Sequence, residues 1–138
     1  MKNEEEHSLI SSELPLIYNL NILENIAIIK EVHENMNTKQ AQIVAQESLD
    51  RISLPHIGFK RSNECSIMEL FYVMVIRACM SKESRIIIQT PEKLIGNLKN
   101  IHVALEKITL LDFKKEILIV DTIDNKNFYK GSLCNIVE

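Results

Sequence analysis

A helical run from Ser66 to Met80 that is apolar nearly all round hands over, within a few residues, to the β-branched run RIIIQ at Arg85–Gln89. An apolar circumference means a helix buried on several sides. RIIIQ is too short for a helix and too continuously apolar for a half-exposed strand, so it reads as an interior strand. Helical spacing returns from Lys93 to Thr109 through Leu94, Leu98, Ile101, Leu105 and Ile108, and KEILIV at Lys115–Val120 predicts a second interior strand. Leu133–Val137 predicts a third, after a short polar segment at Asp124–Lys130 that reads as a short helix. Strands separated by helices pair in parallel with right-handed crossovers, so the fold class expected is α/β.

The N-terminal half reads as mostly helical. Residues 1–8, MKNEEEHS, form a charged tail. The apolar entry LPLIYNLNILENIAII follows and becomes helical from Asn21, although its apolar positions mix two periods. The polar cluster at Asn35–Thr38 breaks this helix and offers Asn37 or Thr38 as the next cap. A second helix spans Lys39–Ser53, with Ala41, Val44, Ala45, Leu49 and Ile52 on one face. Pro55 and Gly58 end it and open a loop through Asn63. The expected organisation is a tail at 1–8 and one domain at 9–138, divided into a helical subdomain at about 20–82 and an α/β half at about 83–138.

A chain of 138 residues is long enough to bury a core. Its formal charge of −3 gives no electrostatic footprint for nucleic acid. Cys65, Cys79 and Cys134 are odd in number and lack paired spacing, and His7, His33, His56 and His102 show no ligand pattern, so neither a disulfide framework nor a metal site is signalled. Cys79 reads as a small core hydrophobe, and nothing near Cys134 in sequence would lower its pKa. An acidic start without a signal-type apolar run, and no segment of membrane-spanning length, give a cytoplasmic expectation with no direct membrane span.

Cys65–Pro91, CSIMELFYVMVIRACMSKESRIIIQTP, resembles the segment of ATP-binding-cassette (ABC) ATPases from the signature helix to the Walker B strand, with Ser66, Glu69, Ile76, Arg77, Ala78 and Pro91 as its framework. Upstream, SELPLIYNLNILENI at Ser12–Ile26 is similar to the family's Q-loop entry, best at Glu24-Asn25-Ile26. The Lys39–Ser53 helix and LPHIGFKRSNECS then resemble the approach to the signature. Together these imply an N-terminally truncated, partial P-loop-NTPase-like fold, a helical subdomain followed by a short, mostly parallel sheet.

The resemblance also implies stations for ATP chemistry, and their residues differ. Gly58, Gly96 and Gly131 lie too far apart for a P-loop, whose glycines let backbone amides cradle phosphate. The equivalents of nucleotide-binding positions are Ser12 for the Q-loop glutamine, Ser66 and Glu69 in the signature, and Gln89 and Thr90 for the two Walker B carboxylates. Ile67 and Met68 replace signature glycines; the D-loop aspartate aligns near Gly96, and the switch histidine at Thr122 or Ile123. An amide and a hydroxyl cannot supply the charge that holds Mg²⁺ or activates water.

Read without the family, Ser66 is an N-cap whose capping box Glu69 completes. Arg77 either anchors an ion pair or extends to the surface. Asp121 and Asp124 end a strand where α/β ligands bind, or simply form a turn. The function expected is a non-catalytic, pseudo-ATPase subunit without cofactor, acting through protein contacts near a transport system at the inner face of the membrane. Its partner surface would lie around Leu16, Tyr18 and Leu20, and its partners would be a second copy, a companion ABC subunit or a permease. Two alternatives stand beside it: half of a split ATPase that uses ATP and Mg²⁺ with Walker A from another chain, and a small α/β interaction domain of unknown ligand.

Overall fold

The computed structural model describes residues 7–111 and 113–132. Its centre is a three-stranded parallel sheet in the order β1 (Ser8–Ile10), β2 (Arg85–Gln89), β3 (Glu116–Val120). Ile10, Ile88 and Ile119 align across it, as do Leu9, Ile87 and Leu118. Because side chains alternate across a strand, the first row faces the helices and the second faces away.

Between β1 and β2 run three helices, α1 (Ile22–Glu34), α2 (Thr38–Arg51) and α3 (Ile67–Cys79). Each begins on a side-chain cap: Asn21, Asn37 and Ser66 accept the backbone N–H three residues on, and at Asn21 and Ser66 a glutamate returns the bond. These caps satisfy amide groups that a helix start leaves without partners. As its apolar circumference requires, α3 is buried at Phe71, Tyr72, Val73, Met74, Val75, Ile76 and Ala78. It packs against α1, α2 and β1, and Met80–Ser84 lead directly from it to β2. That direct succession is the order the ABC-like reading expects.

Three expectations are corrected. Ser8 belongs to the sheet and not to a tail, because Ser8–Ile10 pair with Ile86–Ile88, and the sheet starts ahead of the helical part instead of after it. The helix expected over Lys93–Thr109 is broken: α4 (Glu92–Ile95) stops at Gly96, whose φ of 82° suits a residue without Cβ, and α5 (Ile101–Ile108) starts anew. β3 is not an interior strand among the described residues but an edge, with Leu118 37% and Val120 52% exposed. The segment after β3 is the short helix expected there, a 3-10 helix over Ile123–Tyr129. Leu133–Val137 and Cys134 lie outside the described residues. Among those described, no helix is long and apolar enough to cross a membrane.

Candidate functional site

All three strands point the same way, so their carboxyl ends form one edge, the place where parallel α/β sheets bind ligands. From β1 this edge receives Ser11 and Ser12, from β2 Gln89 and Thr90, from β3 Asp121 and Thr122. Register therefore gathers three of the expected positions, Ser12, Gln89 and Thr90.

Thr90 is the most constrained of them. Its N–H donates to the Val120 carbonyl at 2.8 Å, extending the ladder one residue past β2, and its φ is 46°. A β-branched residue in the left-handed region is a conformational outlier. Gln89 is exposed beside Val120, and Ser12 is exposed in the turn after β1, which the Leu14 N–H closes on the Ser11 carbonyl at 3.0 Å.

Asp121 supplies the one carboxylate among the residues just named, and it is occupied. It accepts the Tyr129 hydroxyl at 2.6 Å, the Asn125 amide at 3.0 Å and the Thr122 N–H at 2.7 Å. That is the turn-forming role, and Asp124 sits exposed in the first turn after it. The other side chains named at the edge are four hydroxyls, Ser11, Ser12, Thr90 and Thr122, and the Gln89 amide, all neutral. This set does not fit a magnesium nucleotide, whose charge calls for carboxylates on the metal and amides or cations on the phosphates.

Ser66 and Glu69 spend their polar groups on each other's backbone: Ser66 Oγ accepts the Glu69 N–H at 3.1 Å and Glu69 Oε1 accepts the Ser66 N–H at 2.8 Å. Ile67 beside them is exposed and Met68 half-buried. Gly96 caps α4, while Thr122 and Ile123 are exposed at the start of the 3-10 turn.

Arg77 takes neither of its two expected roles. Its guanidinium donates to the Leu14 carbonyl at 2.8 Å and the Pro15 carbonyl at 3.2 Å, and burial lowers its pKa, which leaves so strong a base charged. Asn25 holds the other end of the same loop. Fully buried, it accepts the Ile17 N–H at 2.7 Å and donates to the carbonyls of Ile17, Leu20 and Asn21 at 3.0, 3.3 and 3.0 Å. The loop between them presents Leu14, Ile17 and Tyr18, 48%, 47% and 61% exposed. Of the expected partner-binding residues, Tyr18 is thus displayed, Leu20 is half-buried, and Leu16 is packed in the core and offers no surface. Neither clamp was legible as such; the buried polar residue three positions inside an amphipathic helix start was the available signal for Asn25.

A shallow groove of about 190 Å³ lies between α2, the end of α3 and the residues Leu111 and Phe113, lined in part by Val44, Arg51, Cys79 and Met80. Arg51 spans it to the Leu111 carbonyl at 2.9 Å, and burial pushes the Cys79 thiol well up. A protonated thiol is a poor nucleophile and a poor metal ligand.

No protein-family model and no curated protein sequence matches the chain. Solved structures do. One is described as the dimeric, post-hydrolysis state of the ATP-binding cassette MJ0796 bound to ADP and Pi: TM-score 0.61, 20% identity, with 89% of this chain and 55% of that one covered. A second, described as MJ0796, a bacterial ABC transporter cassette in dimeric form, gives TM-score 0.60, 21% identity and the same coverage. The chain therefore has the fold of part of an ABC cassette, and it spans about half the length of the structures it matches.

Proposed function

We propose that this chain is a non-catalytic, ABC-ATPase-like subunit that works through protein contacts. The observation that carries the reading is the sheet's carboxyl edge, where Ser12, Gln89 and Thr90 offer only neutral groups and Asp121 is committed to Tyr129, Asn125 and Thr122. Phosphoryl transfer depends on positioned charge, and the Asp121 carboxylate among these residues is spent on its own turn. What the fold does build with care is the loop Leu14–Tyr18, an apolar surface fixed from beneath by Asn25 and Arg77. Apolar residues held rigidly in the open are the usual makings of an interface. The partner we assign to this loop is a companion ABC subunit or a permease, which places the chain in the cytoplasm at the inner face of a membrane, as part of a transport system.

A steady-state assay of Mg²⁺-dependent ATP hydrolysis tests the reading, with the chain alone and mixed with the candidate companion. No turnover above the companion's own rate is expected. Turnover that a Thr90 substitution abolishes would contradict it.

A further inference from the structure

We draw no further inference here: the strongest candidate, the open edge of β3 with the outward sheet face of Leu9, Ile87, Leu118 and Val120 beside it, has its flanking charges Lys115 and Asp121 already bonded within the chain, and nothing in the structure shows what covers it.

Discussion

Asn25 and Ile17 bind each other in both directions: the Ile17 N–H donates to Asn25 Oδ1 at 2.7 Å and Asn25 Nδ2 donates to the Ile17 carbonyl at 3.0 Å. With two further carbonyls on the same amide, one fully buried side chain replaces the secondary structure this loop lacks. Asn25→Leu would take their Asn25 partner from the Ile17 N–H and the Leu20 carbonyl, each costing roughly 1–3 kcal/mol, while the Ile17 and Asn21 carbonyls keep the N–H of Leu20 and of residue 25. Loss of about 3 kcal/mol in urea unfolding is expected, with faster amide exchange at Ile17.

Ser66 reports whether the signature-like position is structural. Its hydroxyl and Glu69 satisfy the start of α3, so Ser66→Ala should cost about 1 kcal/mol by chemical denaturation. Ser66→Asp, which can also cap, should recover most of it; a nucleotide-contact role predicts no such rescue.

Thr90 carries backbone strain at φ 46°. Asparagine tolerates the left-handed region better than any β-branched residue. Thr90→Asn should therefore stabilise the protein by about 1 kcal/mol, or a few degrees in melting temperature, read by calorimetry. A loss of stability would mean that the threonine side chain is held by something its backbone conformation does not reveal.

Cys79 gives a pH signature. Burial raises its thiol pKa in the folded state, with Lys115 opposing weakly, while the unfolded thiol titrates near about 8.5. The stability tied to the neutral thiol is complete below that pH. It is lost as pH rises further, because the unfolded chain releases the proton first, with a slope approaching about 1.4 kcal/mol per pH unit. Wild-type stability should fall relative to Cys79→Ala between pH 8.5 and 10, and native Cys79 should resist thiol reagents.

Much of this was legible in the chain. The apolar circumference of Ser66–Met80 and the β-branched RIIIQ fixed α3, β2 and their direct succession within a residue or two. Three things were not. Ser8-Leu9-Ile10 is too short to show a period and follows a charged run, so only pairing with Ile86–Ile88 reveals it as a strand. The apolar spacing of Lys93–Thr109 continues across Gly96 and Asn97, so periodicity hid a break that left-handed backbone imposes. Strand KEILIV reads as interior because composition registers apolarity, not whether a neighbour covers it. At the site, the family resemblance named Ser12, Gln89 and Thr90 singly, and it is strand register that puts them at one edge of the sheet. The clamps by Asn25 and Arg77 depend on side-chain to carbonyl bonds across the fold, which no local pattern encodes.

The central claim is that a cassette-like fold here carries no nucleotide chemistry. Titration calorimetry of the full chain with ATP and Mg²⁺ tests it most directly. The expected result is heat of dilution alone, with no saturable binding in the micromolar range. A saturable isotherm in that range, weakened when Gln89 or Thr90 is replaced by alanine, would contradict the account.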